Sequence, residues 1–409
     1  MKDICLKVLN YLIPKKRNAV FFMPLSNCEK DKYDLINHTA DSALSFVNYW
    51  LSEKKDFEGE IYLVIHFRER LEKYKEYIQE HSHIKFHFVY HGKDASFIDK
   101  LKVLFCRFRC KVWVTETISY LQDYATKSQA QICLTYFTSC KGDYVFQGDT
   151  IKIRKWCLKH QEKVRLISSS FVDSLIRCTA FGTTIQCLYP LGLNRNDNFD
   201  SRLPINNECK KWVDSLKHNE STKVILYAPT FRDYESSDSI NSRSIWGFGY
   251  NDAVINEYLK ERNYIVIAKL HPWQNAAAVN KATSEVVLYK ENFEFSFYDV
   301  MKASDMMITD YSSIGLDWLL LDKPIIYNLY DYDKYKEVRG FAYEPYSDIC
   351  GGPIVNNSEE LLEEIDKSIT NIDYYAEKRD SVLKLMYLGK HFDANEKIFE
   401  QMKELLLQE

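Results

Sequence analysis

The sequence predicts an α/β protein of two doubly wound, Rossmann-like domains, and three observations carry that prediction. Short apolar runs alternate with segments of helical periodicity along the 409 residues, the pattern of parallel strands covered by helices on both faces. A polar, proline-containing segment around Phe199 to Glu208 interrupts the alternation and reads as a linker, dividing the chain into domains 1–205 and 206–409. At that length each domain is able to bury its own core. The third observation is Met306 to Tyr327, MMITDYSSIGLDWLLLDKPIIY, which reads as strand, polar turn, helix and strand.

In the first half, Ala19 to Met23 reads as a buried strand, followed by a polar loop to about Asn37 and a helix through Leu51. Glu60 to His66, the segment around Ile84 to Val89, Lys111 to Thr115 and Ala130 to Leu134 supply further strands. Asp149 to His160 and Ser170 to Thr179 look helical, and Cys187 to Leu191 leads into a turn at Gly192 to Asp197. Two segments are amphipathic and basic. Met1 to Arg17 sets Ile4, Val8, Leu9, Leu12 and Ile13 at helical spacing among lysines, and Phe97 to Lys111 interleaves Leu104, Phe105 and Phe108 with Lys102, Arg107, Arg109 and Lys111. Both fit a helix lying on an anionic membrane surface; the plain alternative is a helix packed on the sheet with its lysines in water.

In the second half, strands are expected at Val224 to Tyr227, Tyr264 to Ala268, Val286 to Leu288, Met306 to Thr309 and Pro324 to Tyr327. Helices follow at Glu359 to Ser368 and from about Asp373 to Leu407. Asp233 to Gly249 lacks apolar periodicity and is expected to form a flexible rim. Three strand ends carry polar groups: Thr230 and Arg232 after one, His271 after another, and Asp310, Ser312 and Ser313 after a third. Hydroxyls beside the first free amides of a helix, at the carboxyl edge of a parallel sheet, make an anion site, so a phosphate-bearing ligand is expected. The simpler reading of Ser312 is a helix cap, and of Arg232 a structural ion pair.

Composition narrows the class. No apolar run approaches the roughly 20 residues of a transmembrane helix, and Met1 to Arg17 has no small-residue cleavage site, so a cytosolic protein is expected. Eleven cysteines, scattered and without a CxxC pair, read as reduced thiols rather than disulfides or zinc ligands. No phosphate loop or HExxH pattern is present. Residues 1–200 hold 30 basic against 23 acidic side chains, a balance of +7, and residues 201–409 hold 24 against 35, a balance of -11. The basic half is the one suited to an anionic membrane or polymer, and nothing suggests nucleic acid.

Ser304 to Val355 resembles the signature block of the CDP-glycerol glycerophosphotransferase family, the primases and polymerases of teichoic acid and related capsule chains. Gly192-Leu193-Asn194-Arg195-Asn196-Asp197, Tyr227-Ala228-Pro229-Thr230-Phe231-Arg232 and Lys269-Leu270-His271-Pro272 fit in the family's order. The resemblance implies the GT-B architecture, two such domains facing across a cleft, with the first on the acceptor and membrane side, the second binding the CDP donor and the last helix crossing back to the first. It implies transfer of glycerol or ribitol phosphate from a CDP-polyol to a hydroxyl of a lipid-linked or polysaccharide acceptor, with release of CMP and no cofactor or essential metal. Peripheral contact with the inner face of the membrane goes with it. His271 and Arg232 take catalytic roles, and Thr230, Asp310, Ser312, Ser313, Arg339, Asn196 and Asp197 bind the donor. Alternatively Arg339 pins the loop after it, and Asn196 and Asp197 serve only turn chemistry.

One departure touches the chemistry. Thr135-Tyr136-Phe137-Thr138-Ser139 stands where the family carries Trp-His-Gly-Thr-Pro, so Tyr136 replaces the histidine taken as general base. A phenol of pKa about 10 is a poor base at neutral pH. His38, with Asp41 about one helical turn away, is the candidate to replace it, the alternative being that the pair only begins a helix. Two competing functions remain: a GT-B glycosyltransferase using a nucleotide sugar, and a non-catalytic binding member that lost its base.

Overall fold

Strand β1 (Lys16–Met23) shows how the first sheet is built. Successive side chains point to opposite faces, so a strand covered on both sides needs an unbroken apolar run. Ala19 and Phe21 enter one core and Val20 and Phe22 the other, and all four are fully buried. The structure is a computed structural model that describes residues 2–24, 42–53, 57–66, 68, 84–118, 121–135, 150–230, 232, 244–270, 282–289 and 295–408.

The chain divides into two compact units. Unit 1 takes in Met1–Phe137, Tyr144–Asp200 and His391–Glu409. Its strands after β1 are β2 (Glu60–Ile65), β3 (Lys85–Tyr90), β4 (Cys110–Thr115), β5 (Ala130–Cys133), β6 (Val164–Ser168) and β7 (Leu188–Pro190). They form one parallel sheet in the order β3-β2-β1-β4-β5-β6-β7. On one face, helix α1 (Lys2–Leu12) contributes Leu6, α3 (Phe97–Arg109) contributes Val103 and Phe108, and α4 (Thr150–Lys159) contributes Trp156. On the other, α2 (Ser42–Glu53) places Phe46, Val47 and Trp50 against Ile398, Phe399 and Met402 of the last helix, Ala394–Leu407. Helix α5 (Phe171–Phe181) follows β6, capped at its start by Ser170 Oγ and at its end by Gly182 at a positive φ.

β6 is a strand absent from the sequence reading, as is the short strand Ile354–Val355 further along the chain, and for β6 Arg165 is the reason. A charge in the middle of Val164-Arg165-Leu166-Ile167-Ser168 breaks the apolar signature, yet the side chain is buried. Its guanidinium carbon lies 4.4 Å from the Tyr189 ring centroid and its Nε donates to Gln401 Oε1 at 3.0 Å. Two basic residues read as facing either lipid or water are likewise internal. Arg107 donates to Tyr124 Oη at 3.0 Å and sits over Phe21, and Lys111 donates to the Leu406 carbonyl at 2.7 Å.

Unit 2 takes in Thr138–Asp143 and Ser201–Lys390. Its strands are β8 (Lys223–Ala228), β9 (Tyr264–Ala268), β10 (Val286–Leu288), β11 (Met306–Thr309), β12 (Ile325–Asn328) and β13 (Ile354–Val355), again all parallel, in the order β10-β9-β8-β11-β12-β13. The helices are α6 (Asn207–Leu216), α7 (Asp252–Arg262), α8 (Phe297–Ala303), α9 (Ile314–Trp318), α10 (Tyr332–Val338), α11 (Ser358–Thr370) and α12 (Ala376–Tyr387). Ile255 and Leu259 of α7 and Leu361 and Ile365 of α11 cover one sheet face. Gly352 lies so close to β12 that a Cβ there would fall 1.7 Å from the Ile325 carbonyl oxygen, so no larger residue fits.

The expected rim at 233–249 is corrected at its described end. Trp246 is buried in the unit 2 core with its ring 4.4 Å from that of Tyr227, and its carbonyl accepts from Asn328 Nδ2 at 2.8 Å. One large aromatic without periodic neighbours is enough to anchor a loop that composition alone reads as loose.

Candidate functional site in unit 2

Strands β8 and β11 are neighbours in the sheet but not in the chain. From β8 the chain moves outward through β9 and β10, then returns to β11 on the other side. Loops leaving the carboxyl ends of such a pair diverge, and in open parallel sheets that is where ligands bind. Thr230 and Arg232 follow the end of β8, and Asp310, Ser312 and Ser313 the end of β11. β8 closes at Ala228 opposite Thr309 of β11, and Thr309 Oγ1 donates to the Ala228 carbonyl at 2.7 Å.

The Asp310 carboxylate organises the loops that leave these ends. It accepts the Thr230 backbone N–H on both oxygens, at 2.8 and 2.9 Å, and the Ser312 N–H at 3.2 Å. Two loops from different strands are thereby tied to one buried side chain. α9 starts directly beyond, and Gly315 permits it to start close: a Cβ there would lie 2.8 Å from Thr309 Cγ2. Ser312 and Ser313 are half-buried. The cap position of α9 falls on Ser313, not on Ser312 as read from the sequence, and the Ser313 side chain makes no capping hydrogen bond. Thr230 Oγ1 is buried with no hydrogen-bond partner. Buried polar atoms are rarely left so, and an orphan here marks a place where a further polar group belongs.

Arg232 forms the buried ion pairs that the sequence reading held as the alternative to a catalytic role. The residue is 1% exposed. Its Nη1 donates to Asp310 Oδ2 at 2.6 Å and to the Thr230 carbonyl at 2.7 Å, while Nε and Nη2 donate to the two oxygens of Asp331 at 2.8 and 3.0 Å. Its guanidinium lies 5.0, 5.6 and 5.2 Å from the ring centroids of Tyr311, Tyr330 and Tyr335. Burial alone would favour loss of its proton, but the Asp310 and Asp331 carboxylates hold its pKa well above the ordinary value. So placed, the Arg232 guanidinium is committed to two carboxylates. Five of its partners, Asp310, Tyr311, Tyr330, Asp331 and Tyr335, belong to the 304–355 block, and rings of that block stack on one another: Tyr311 on Tyr335 at 3.9 Å and Phe341 on Tyr346 at 4.6 Å.

Arg339 is half-buried at the carboxyl end of α10, its N–H bonded to the Tyr335 carbonyl. Asn196 and Asp197 belong to unit 1. There the Asp197 carboxylate accepts the first amides of the last helix, Ala394 N–H at 3.1 Å and Asn395 N–H at 2.8 Å, and burial pushes its pKa up to about 6 against those hydrogen bonds. It is engaged as a helix cap. His271, His38, Asp41 and Tyr136 fall outside the described residues. Among the described residues no group of three or more His, Cys, Asp or Glu is placed to hold a metal ion. Asp331 went unread in the sequence, although an acid just past a strand end, in Tyr330-Asp331, is the signal that locates it.

The chain matches the family described as CDP-Glycerol:Poly(glycerophosphate) glycerophosphotransferase over residues 7–403. It is 26% identical over 351 residues to the teichoic acid glycerol-phosphate primase of Bacillus subtilis (strain 168), a match covering 79% of this chain and 86% of that one. With the teichoic acid ribitol-phosphate polymerase TarL of Staphylococcus aureus it shares 27% identity over 236 residues, 58% of this chain but 39% of the polymerase. Among solved structures it resembles the wall teichoic acid polymerase TagF, with a TM-score of 0.70 at 20% identity over 98% of this chain and 92% of that one. A UDP-GlcNAc 2-epimerase from Methanocaldococcus jannaschii gives 0.55 at 10% identity over 94% and 99% of the two chains. Likenesses at such identities speak for the fold, the paired doubly wound domains of the GT-B type. Since the family match runs through both units and contains the whole Asp310 turn, the chain belongs to the CDP-glycerol glycerophosphotransferase family and is a transferase of that family.

Proposed function

We propose that the chain transfers glycerol phosphate or ribitol phosphate from a CDP-polyol to a hydroxyl of a teichoic-acid-like acceptor, with the CDP diphosphate held at the carboxyl ends of β8 and β11. The observation that carries this reading is the pairing of a family match over residues 7–403 with the Asp310 turn inside it. The acceptor oxygen attacks the β-phosphorus, the bond from that phosphorus to the bridging oxygen breaks, and CMP leaves with the bridging oxygen. Such a transition state asks for charge neutralisation and alignment rather than covalent help. Thr230 Oγ1, the Ser312 and Ser313 hydroxyls and the amides opening α9 are the donors suited to the phosphate oxygens. With Arg232 already facing two carboxylates, net positive charge has to come from elsewhere, and His271 and Arg339 are the candidates. His271 follows the described end of the chain at Leu270, beyond β9.

The acceptor proton goes to a base in unit 1, for which His38 and Asp41 are proposed. They belong to the chain after β1, and β1 and β4 are the corresponding pair of that sheet, adjacent in space and separated in sequence.

Peripheral membrane contact is part of the proposal, and unit 1 supports it through apolar side chains more than through charge. α1 exposes Ile4, Val8 and Leu12, and α3 exposes Phe97, Ile98, Leu101 and Phe105 beside exposed Lys100 and Lys102. Both helices pack on the same face of the sheet through Leu6, Val103 and Phe108. No described helix is long and apolar enough to cross a membrane. The test of the activity is product analysis after offering CDP-glycerol and CDP-ribitol with lipid-linked acceptors. Acceptor lengthened by a polyol phosphate, with CMP released, supports the proposal; transfer of a sugar or no transfer overturns it.

A further inference from the structure

We propose that Asp331 is a positioning residue of the donor site, acting through Arg232 and Asp310 on the loops that meet the diphosphate. The inference rests on the donor site proposed above and adds a residue of the 304–355 block to which the sequence reading gave no role. Asp331 lies just beyond β12, one strand further along the sheet than the Asp310 turn, and opens α10. Its two oxygens take both Nε and Nη2 of Arg232, a bidentate pair that fixes the guanidinium plane. Oδ1 also accepts from Tyr311 Oη at 3.1 Å. With its plane fixed, Arg232 directs Nη1 at Asp310 Oδ2 and at the Thr230 carbonyl. Asp310 in turn holds the amides of Thr230 and Ser312.

The order of contacts is thus Asp331, Arg232, Asp310, then the two loops. Each intermediate member is nearly inaccessible, so the chain of contacts has little freedom to relax around a missing link: Arg232 is 1% and Asp310 2% exposed. Loosening the far end shifts the Thr230 and Ser312 groups relative to each other. A diphosphate bound between those groups senses the shift as weaker binding. The acceptor, bound elsewhere, does not.

The experiment measures the dissociation constant of CDP-glycerol or CDP-ribitol by calorimetry, and steady-state kcat and KM for donor and acceptor, on the full-length wild type, Asp331→Asn and Tyr311→Phe. Asp331→Asn keeps the size and one acceptor oxygen but loses the charge; Tyr311→Phe removes one hydroxyl. The expected result is a donor dissociation constant and donor KM raised about tenfold for Asp331→Asn and a few-fold for Tyr311→Phe, with acceptor KM unchanged. A merely structural role would lower the melting temperature and the active fraction, hence kcat, and leave donor KM alone. Wild-type donor affinity in both variants overturns the positioning role, and should Asp331→Asn not fold, wild-type donor affinity in Tyr311→Phe alone does so. Failure of the wild type to bind either CDP-polyol overturns the functional reading itself, and the present inference with it.

Discussion

Arg232 and Asp310 form an ion pair of 2.6 Å whose side chains are 1% and 3% exposed, and Asp310 in the same position holds the amides of two separate loops. The pair joins what a sequence treats as two motifs. A buried charge left without its partner is costly, whereas the intact pair contributes little net stability. Arg232→Ala is therefore expected to lose about 3–5 kcal/mol of stability along with donor binding. Arg232→Lys, which cannot span Asp310 and Asp331 with a planar fork, recovers little of either. Chemical denaturation checks this, and a fully stable Arg232→Ala contradicts it.

The hydroxyls facing the proposed diphosphate should behave in the opposite way. Ser313 caps nothing and Thr230 Oγ1 has no partner, so neither contributes a hydrogen bond to the fold. Thr230→Val is expected to leave stability unchanged or raise it by about 1 kcal/mol, because it removes an unsatisfied buried hydroxyl. Ser313→Ala should be neutral within about 0.5 kcal/mol. Both should weaken CDP-polyol binding about tenfold. Donor affinity at the wild-type value in both variants places the diphosphate elsewhere.

Asp197 gives a pH prediction. Its pKa in the folded protein is raised to about 6 by burial, above the roughly 3.9 of an unfolded aspartate. The native state therefore binds the proton more tightly than the unfolded chain, and the contribution of this group to stability is greatest below about pH 4 and falls as pH rises through about 6. The stability of wild type relative to Asp197→Asn should decline across that window by on the order of 2 kcal/mol. A flat difference between pH 4 and 7 would show that the two helix amides, not burial, set its pKa.

Membrane association, if it is carried as proposed, should depend on α1 and α3. Replacing Ile4, Val8 and Leu12 together with Phe97, Leu101 and Phe105 by serine should abolish co-sedimentation with anionic vesicles and leave the fold unchanged, since all six are exposed. Neutralising Lys100 and Lys102 should weaken binding only modestly, with correspondingly shallow salt dependence. Unchanged sedimentation of the six-fold variant rejects this surface.

The legible parts of the chain were those where one physical signal acts alone. Tyr264–Ala268 and Met306–Thr309 occur as strands with the bounds that their apolar runs suggest, because a strand buried on both faces needs nothing else, and the edge strand Val286–Leu288 keeps its expected bounds as well. β6 was hidden by Arg165, Trp246 by its polar surroundings, and the inward turn of Arg107 and Lys111 by the usual habit of basic residues to stay in water. That Thr230, Asp310, Ser312 and Ser313 follow the ends of two strands was readable from the sequence. For Arg232 the sequence left a catalytic role and a structural ion pair both open, because the partner Asp331 is 99 positions away. Sequence spacing does not report a pairing made across a sheet.

The central claim is the transfer of a polyol phosphate, and the most direct measurement is mass spectrometry of the acceptor after incubation of the full-length protein with CDP-glycerol or CDP-ribitol, alongside a panel of nucleotide sugars. The account predicts a lipid-linked acceptor heavier by one or more polyol phosphates, with equivalent CMP, and no change with the nucleotide sugars. An acceptor heavier by a sugar residue, or unaltered by either CDP-polyol, would contradict it.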